Sequence, residues 1–323
     1  MRTWVFHGPG DPQAVLHLEE RPDLEPGPGD VVLDVEAVGV AFPDLLLIRG
    51  EYQIPLPPGA TPGGECVGRV RSAGAGTQLS VGTRVLAMCE IGRGALGEQA
   101  VTKEAFVTPL PDDASAGIAA ALPINYVTSH LALHRLGNVR SGDVVVVHGG
   151  GGGIGSAAIQ LARAAGARVV ASELGPERTK LCLDYGAELA IDVASDDMIQ
   201  IVTEATGGRG ADVIIDPVGG DVFDASYRCV AAEGRILIIG FTSGRIPELR
   251  LNQVLLRNFA VIGVNALFYK EQWSEFLAEV VELYMAGAVM PQVEGEYPLH
   301  ALPDLCDRLQ RREVQGKAVI RVR

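Results

Sequence analysis

A run of glycines is the group of residues in this sequence most suited to bind a ligand. The stretch HGGGGGIGSAAIQLARAAG, residues 148–166, holds five consecutive glycines and a sixth two positions later. Within it, Gly150, Gly152 and Gly155 form a G-x-G-x-x-G pattern between the apolar run VVVVH and a helix-like segment. In that setting one glycine makes a tight turn, one lets the backbone approach a pyrophosphate, and one packs the helix against the strand. The helix N-terminus offers free N–H groups to phosphate. The pattern therefore predicts a dinucleotide-binding turn.

A flexible linker and a Walker-type phosphate loop are the alternatives to this turn. A linker would not be bounded by a buried strand and an amphipathic helix, so the flanks argue against it. No Lys-Ser/Thr pair follows the last glycine, which excludes the Walker-type loop. The turn needs glycine at only three positions, so Gly151 and Gly153 are predicted to be redundant as glycines. The residues expected to contact the cofactor here are Gly150, Gly152, Gly153, Ile154 and Gly155.

An acidic residue at the end of the second strand commonly binds the adenosine ribose, about 20 residues beyond the loop. Glu173, in RVVASEL, fits that position. A carboxylate there would accept hydrogen bonds from both ribose hydroxyls of NAD and repel the 2′-phosphate of NADP. Arg178 lies near enough in sequence to attract that phosphate instead. Alternatively, Glu173 points to solvent and has no role.

The elements that would position these residues follow from the apolar pattern. Between residues 143 and 240, short apolar runs alternate with helix-like segments, from DVVVVH to RILIIG. Strands that are apolar throughout are covered on both faces, and the segments between them are long enough for right-handed crossovers. We therefore expect a doubly wound parallel α/β sheet. Pro176 suits the first turn of a helix, while Gly166 and Gly186 suit left-handed helix caps.

The flanking segments have a different texture. The first 118 residues are rich in Gly and Pro, with short β-branched runs between turn clusters, which predicts a mostly β domain resembling a small irregular barrel. The tail contains a predicted helix and a final strand, KAVIRV, and is expected to fold back onto this domain. The predicted organisation is a β domain of residues 1–119 completed by 266–323, and a dinucleotide-binding domain of residues 120–265.

Composition narrows the class of protein. Hydrophobic residues make up 47% of the 323 residues, but no apolar run approaches the roughly 20 residues that cross a bilayer. We expect a soluble protein, and a start without a signal-peptide pattern makes the cytoplasm the default location. The formal net charge of −13 and the lack of a Lys/Arg cluster argue against a nucleic-acid partner. Five scattered cysteines without a C-x-x-C pair argue against a disulfide framework and a thiolate zinc site.

Two histidines have a spacing that could suit a metal. His130 and His134 are four residues apart on a predicted helix, so they would share one face. Neither a third ligand nor a glutamate base accompanies them. Packing or surface positions are therefore the better account of both residues, and no metal site is predicted.

The glycine run and four further motifs resemble those of the zinc-independent quinone oxidoreductases, a family of the medium-chain dehydrogenase/reductase superfamily. The similarity extends nearly from end to end of the chain. It implies a GroES-like β domain, made from the N-terminal part and the tail, joined to a Rossmann domain. The four motifs are LPINYVTSHLAL (122–133), DPVGGDVF (216–223), GFTSGRIP (240–247) and QGKAVIRV (315–322).

Zinc-dependent alcohol dehydrogenases share that architecture, so the positions of their metal ligands are informative. Where those enzymes carry a cysteine this chain has Ala41, in GVAFPD, and where they carry a histidine it has Gly64, in GGE. Neither residue can coordinate zinc. The cysteine-rich lobe that holds their structural zinc is also missing. The resemblance therefore implies hydride transfer to a quinone or another α,β-unsaturated carbonyl, whose charge hydrogen-bond donors can hold without a metal.

The resemblance also implies roles for single residues. Tyr52, in RGEYQIPLPPG, matches a tyrosine that faces the substrate cleft in related reductases, where it could bond the substrate oxygen or deliver a proton. Alternatively, it only packs the cleft wall. Asp44 matches an aspartate that we interpret as structural. The remaining matches line the cofactor site: Tyr126 and Thr128 at its nicotinamide end, and Gly240, Phe241 and Thr242 at a strand end.

Two departures from the family pattern affect the cofactor. Where NADPH-using relatives place a tyrosine against the 2′-phosphate, this chain has Val193, and together with Glu173 this shifts the expected preference from NADPH towards NADH. Ala41 also replaces a common asparagine, which removes one polar contact to nicotinamide or substrate.

The leading hypothesis is an NAD(P)H-dependent reductase of quinones or enals. The alternatives are an enoyl-thioester reductase, against which the acidic composition argues mildly, and a non-enzymatic dinucleotide-binding protein of the zeta-crystallin kind. The apolar segment FAVIGVN, residues 259–265, is predicted to be the exposed edge strand of the Rossmann sheet. Such an edge pairs readily with its twin, so we expect a homodimer.

Overall fold

The computed structural model describes the whole chain, Met1–Arg323. The strands are β1 (Arg2–Phe6), β2 (Leu16–Glu20), β3 (Asp30–Val40), β4 (Glu65–Ala73), β5 (Arg84–Met88), β6 (Gln99–Lys103), β7 (Val107–Pro109), β8 (Val144–His148), β9 (Arg168–Glu173), β10 (Leu189–Asp192), β11 (Ala211–Asp216), β12 (Val230–Ile238), β13 (Ala260–Gly263), β14 (Val293–Pro298) and β15 (Lys317–Arg321).

The α-helices are α1 (Pro12–Val15), α2 (Phe42–Arg49), α3 (Ala116–Ala119), α4 (Pro123–His130), α5 (Gly153–Ala164), α6 (Pro176–Asp184), α7 (Met198–Ala205), α8 (Gly220–Cys229), α9 (Leu251–Arg257), α10 (Trp273–Met285) and α11 (Leu302–Gln310). A π-helical stretch, Leu131–Leu136, continues α4, and 3-10 turns span Glu104–Phe106, Ala266–Gln272 and Leu299–Ala301.

The chain divides into two compact units. The first unit contains residues 1–124, 270–285 and 291–323, and the second contains 125–269 and 286–290. The first unit extends to residue 124, five residues beyond the expected boundary at 119, and the second includes residues 266–269 and 286–290 of the expected tail. Helix α4 crosses the boundary at 124/125, so the apolar pattern alone had no break to mark it.

The first unit is built on a seven-stranded sheet. The strands follow the order β14-β15-β3-β4-β5-β7, and β6 pairs with β3. Strand β15 from the tail runs antiparallel to β3, with Ala318 opposite Val40. The last strand of the tail therefore lies in the same sheet as the N-terminal strands. The core is formed by the buried apolar side chains of these strands, including Leu33, Val38 and Ile320.

The second unit is a six-stranded sheet in the order β10-β9-β8-β11-β12-β13, with every neighbouring pair parallel. The first strand in sequence therefore lies at the centre and the order reverses beside it, which confirms the predicted doubly wound fold. Gly166 and Gly186 adopt left-handed backbone angles just after α5 and α6, as expected of helix caps. Pro176 begins α6.

Two further expectations concern the whole chain. All five cysteines are buried and none is paired in a disulfide. None of the helices combines the length and the apolar character that crossing a membrane requires.

Candidate functional site

The glycine loop connects the central strand β8 to helix α5. Gly149 has φ +61°, so the tight left-handed turn lies at Gly149, one residue before the Gly150 of the expected pattern. Gly150 has a packing role instead, because a Cβ there would lie 2.6 Å from Cys182 Sγ and 3.1 Å from Ala171 Cβ. The fingerprint fits only Gly150, Gly152 and Gly155, because residues 154 and 156 are Ile and Ser, so the turn glycine lies one residue outside it.

The loop glycines that begin α5 differ in what surrounds them. A Cβ on Gly155 would collide with the Gly149 carbonyl, so Gly155 allows the helix to pack on the loop. A Cβ on Gly152 would meet only the Gly149 carbonyl, at 3.4 Å, which is an ordinary contact. Nothing in the protein therefore requires glycine at this helix N-cap. The backbone at Gly152 is therefore open to a ligand at the start of α5.

Gly153 is not the redundant glycine that the sequence suggested. A Cβ there would overlap the amide of Asn125, which is buried in α4. The reason is tertiary, because α4 packs against the start of α5, where Ser129 also donates to the Ile154 carbonyl at 3.2 Å. Sequence reasoning passed over Asn125, although it lies inside the NYVTS segment that was singled out.

Glu173 ends β9 and turns back onto the glycine loop. Its Oε2 accepts the N–H of Gly151 at 2.9 Å and contacts Arg178 Nη2 at 3.3 Å, and its Oε1 accepts the N–H of Leu174 at 3.0 Å. The side chain is only 11% exposed, so the alternative in which it points to solvent is wrong. Arg178, which could attract a 2′-phosphate, is paired with the carboxylate of Glu173, which is expected to repel that phosphate. Val193 donates its N–H to the Glu173 carbonyl at 3.0 Å, beside the same strand end.

A buried polar network braces the strand ends below this loop. His148, the last residue of β8, contacts Ser172 Oγ through Nδ1 at 2.6 Å and Ser226 Oγ through Nε2 at 2.7 Å. Ser226 donates its single proton to the Val222 carbonyl, so it accepts from His148 Nε2–H. Burial lowers the pKa of His148, which keeps the ring neutral. Its Nδ1 then accepts from Ser172, the residue before Glu173.

Residues 240–242 follow β12 and lie beside a second turn. Asp216 ends β11 and accepts the N–H groups of Val218 and Gly219, both at 2.8 Å. Thr242 donates its N–H to the Pro217 carbonyl at 3.1 Å, which joins the two loops. Gly240 lies next to the same turn, and Phe241 is exposed. Because β8, β11 and β12 are consecutive in the sheet, these loops share the edge that carries the glycine turn.

Tyr126 and Thr128, both in α4, have different environments. Tyr126 is 1% exposed and donates its hydroxyl to Gln160 Oε1 at 3.1 Å, an oxygen that also accepts the N–H of Met290 at 2.7 Å. The structure therefore places Tyr126 in the core of the second unit, where the sequence had suggested a cofactor-lining surface. Thr128 is half-buried.

Tyr52 belongs to the first unit and follows α2 after the left-handed Gly50. Its ring is partly buried against the core, and its hydroxyl makes no hydrogen bond to another residue of the chain. Burial, and then the negative charge of Asp44, raise the pKa of the Tyr52 phenol. The phenol therefore stays protonated at neutral pH and is available as a hydrogen-bond donor.

Buried charges occupy the region that holds metal ligands in zinc enzymes. Asp44 accepts the N–H of Ala41 at 2.8 Å and bonds the backbone amides of Gly63 and Gly64. Glu65 accepts the Ile124 N–H at 2.7 Å and pairs with the buried Lys317. Both carboxylates are thus engaged by groups of the chain itself, in line with the structural role expected for Asp44.

The histidine pair also lacks further ligands. The rings of His130 and His134 lie 4.5 Å apart, and burial lowers the pKa of His130 to about 4. No three His, Cys, Asp or Glu side chains of the chain are grouped so that they could hold a metal ion.

Known proteins share this architecture over the whole chain. Residues 27–112 match the alcohol dehydrogenase GroES-like domain, and residues 153–282 match the zinc-binding dehydrogenase family. The quinone oxidoreductase-like protein 2 of Mus musculus is 30% identical over 311 residues, which cover 94% of this chain and 88% of that protein.

Two solved structures are also similar. A quinone oxidoreductase of Pseudomonas syringae pv. tomato is 28% identical, with a TM-score of 0.91 and 99% of both chains covered. A mycobacterial protein in complex with NADPH is 29% identical, with a TM-score of 0.92 and 100% of both chains covered.

A GroES-like β unit completed by the tail, together with a doubly wound sheet that carries a glycine turn, defines an oxidoreductase of the medium-chain dehydrogenase/reductase class. Within that superfamily the chain belongs to the quinone oxidoreductase family, which confirms the resemblance of its motifs.

Proposed function

We propose that the protein is an NAD(P)H-dependent reductase of quinones or other α,β-unsaturated carbonyls that works without zinc. The observation that carries the proposal is that the chain itself engages Asp44 and Glu65, the two carboxylates near the positions of the zinc ligands. Asp44 is buried on backbone amides and Glu65 is buried against Lys317 and a backbone amide, while Ala41 and Gly64 offer no donor atoms. This set of residues does not fit a zinc ion, so the carbonyl has to be polarised in another way.

A conjugated acceptor suits the groups that remain. When bound, the nicotinamide cofactor supplies hydride to an electron-poor carbon of the acceptor. Negative charge then develops on the acceptor oxygen, where a neutral hydroxyl can donate a hydrogen bond or a proton. Tyr52 is the candidate for this role because its phenol is protonated and its hydroxyl is not used within the chain.

The cofactor preference is proposed from Glu173. Gly151, Gly152 and the start of α5 form the phosphate turn, and the Glu173 carboxylate lies against it, at the strand end where the adenosine ribose binds in this fold. A carboxylate there accepts ribose hydroxyls and repels a 2′-phosphate. We therefore propose that NADH is preferred to NADPH.

One assay tests the activity and separates the alternatives. Purified protein is mixed with NADH or NADPH, and the nicotinamide absorbance is followed with a quinone, an enal or a crotonyl thioester. We expect oxidation with the quinone or the enal. Turnover with the thioester alone would identify an enoyl-thioester reductase instead. If the cofactor binds and no acceptor is reduced, the enzymatic proposal is wrong and a non-enzymatic dinucleotide-binding protein remains.

The assembly is proposed from the edge of the second unit. Strand β13 is the last strand of its sheet and is largely exposed. Next to it in sequence, Leu251, Leu255 and Leu256 of α9 are 76–80% exposed. An open edge strand and adjacent leucines favour pairing with a second copy. We expect light scattering to give about twice the 34.0 kDa of one chain, and Val261→Lys in β13 to give the single mass.

A further inference from the structure

The turn itself does not require glycine at residue 151. Its φ is not positive, whereas that of Gly149 is +61°, and its own Cα supports no close contact of helix and strand. Its N–H donates to Glu173 Oε2 at 2.9 Å. The contact with Glu173 is therefore the feature that could require glycine at position 151.

The atoms nearest to a side chain at position 151 would belong to the Glu173–Arg178 pair. A Cβ there would lie 3.0 Å from Glu173 Oε2 and 3.3 Å from Arg178 Nη2, and its third nearest atom also belongs to Arg178. The first distance is tighter than an ordinary van der Waals contact, and the affected atoms are the ends of two side chains. An alanine would therefore displace the carboxylate without disturbing the loop backbone.

The backbone below Glu173 has no freedom to absorb that displacement. Ser172, one residue earlier, is fully buried and is held by His148 at 2.6 Å. Strand β9 is paired on both sides, with β8 and β10. The side chain of Glu173 has to move instead, away from the N–H of Gly151.

We propose that Gly151 is a specificity-determining residue, because the missing side chain lets Glu173 dock on the glycine loop and select the unphosphorylated ribose. This inference rests on the proposed role of Glu173 in cofactor preference. Docked, the carboxylate is held by Gly151, Leu174 and Arg178 and keeps acceptor capacity for ribose hydroxyls. It also occupies Arg178, a side chain whose guanidinium would otherwise pair with a 2′-phosphate.

The experiment measures the dissociation constants of NADH and NADPH directly, by nicotinamide fluorescence, for wild type and Gly151→Ala. We expect Gly151→Ala to shift the ratio of the two constants by about tenfold in favour of NADPH. The matched control is Gly152→Ala in the same loop, which contacts neither Glu173 nor Arg178. It should weaken both dinucleotides by a similar factor, since they share the pyrophosphate, and leave the ratio unchanged.

A double variant and a second single variant complete the test. Glu173→Ala should shift the ratio in the same direction, and adding Gly151→Ala to it should change the ratio no further, because both act through one carboxylate. Glu173→Asp keeps the loop sequence intact but is too short to reach the Gly151 N–H, so it should also favour NADPH. This variant decides the question if Gly151→Ala does not fold.

The outcomes separate the two proposals. A shift with Glu173→Ala, but none with Gly151→Ala and Glu173→Asp, would overturn the role of Gly151 and leave the cofactor assignment of Glu173 standing. No shift with Glu173→Ala would overturn both. A ratio that changes equally in Gly152→Ala would show a general effect of the loop and would also overturn the role of Gly151.

Discussion

The dinucleotide loop of the second unit and the charged cluster of the first unit use glycine and acidic residues in opposite ways. In the loop, glycines leave space that the protein does not fill, as at Gly152, and a ligand can use it. In the cluster, Asp44 and Glu65 accept bonds from amides of Ala41, Gly64 and Ile124 inside the chain, and both are fully buried, so a ligand cannot reach them. Sites are therefore recognised by what the protein leaves unsatisfied, more than by which residue types are present.

The largest expected effect is the loss of stability when the ion pair of the cluster is broken. Lys317→Ala leaves Glu65 buried without its counter-charge, and we expect the first unit to lose about 3–5 kcal/mol of unfolding free energy in chemical denaturation. The double variant Lys317→Met with Glu65→Gln should recover most of that loss. Dinucleotide affinity should remain near wild type, because the glycine loop belongs to the second unit. A small loss in the single variant would contradict a structural role for the pair.

The next effect addresses the loop. Gly152→Val should fold, since its nearest protein atom lies at 3.4 Å from the added Cβ, but should weaken dinucleotide binding about 100-fold by blocking the pyrophosphate. Fluorescence titration measures the affinity, and circular dichroism checks the fold. Near-normal binding would show that the space over Gly152 is not the phosphate site.

Tyr52 lies within reach of the charge of Asp44, and its hydroxyl is not used within the chain. Tyr52→Phe should lower kcat for an enal by about tenfold or more at unchanged dinucleotide affinity, since only the donor to the developing oxyanion is lost. The loss should be smaller for a quinone, which accepts protons from solvent. Equal rates of wild type and variant with every acceptor would assign Tyr52 to the cleft wall.

The smallest effect concerns a buried side chain of the second unit outside the loop. The folded-state pKa of His130 is about 4, below its ordinary value of 6.5, so the unfolded chain binds a proton that the folded chain does not. Stability should therefore fall as pH drops from 6.5 towards 4. His130→Gln should remove about 1 kcal/mol of that loss at pH 5.5, measured by urea unfolding at several pH values. An unchanged pH slope would indicate that His130 already binds its proton in the folded state.

The sequence predicted most of the fold because its signals are local and strong. The wholly apolar strands from VVVVH to RILIIG alternate with helices, and this pattern has few packed solutions other than a doubly wound sheet. The tail strand KAVIRV was also expected to return to the first unit, and β15 pairs there with β3. The domain boundary was less accessible because α4 continues through it without a change in residue type.

The candidate site was predicted in outline and corrected in detail. The fingerprint fits the run only at Gly150, Gly152 and Gly155, because residues 154 and 156 are Ile and Ser, and this assigns the turn to Gly150. The positive φ lies one residue earlier, at Gly149, outside the fingerprint. The spacing predicts that Gly153 is redundant, but Asn125 packs against it, and the resemblance places Tyr126 at the cofactor, but its hydroxyl is bonded to Gln160 in the core. These contacts join residues that are distant in sequence, so the apolar pattern of the sequence cannot predict them.

The sequence by itself determined the class of the protein, because backbone propensity, apolar spacing and the absence of side-chain donors at Ala41 and Gly64 are properties of residue type. Only the tertiary structure decided which groups are still available to a ligand. Glu173 could have faced solvent, ribose or Arg178, and it docks on Gly151 because β9 ends beside the loop and a glycine leaves room there. Availability depends on which polar groups folding has already paired, and that pairing is set by contacts between distant parts of the chain.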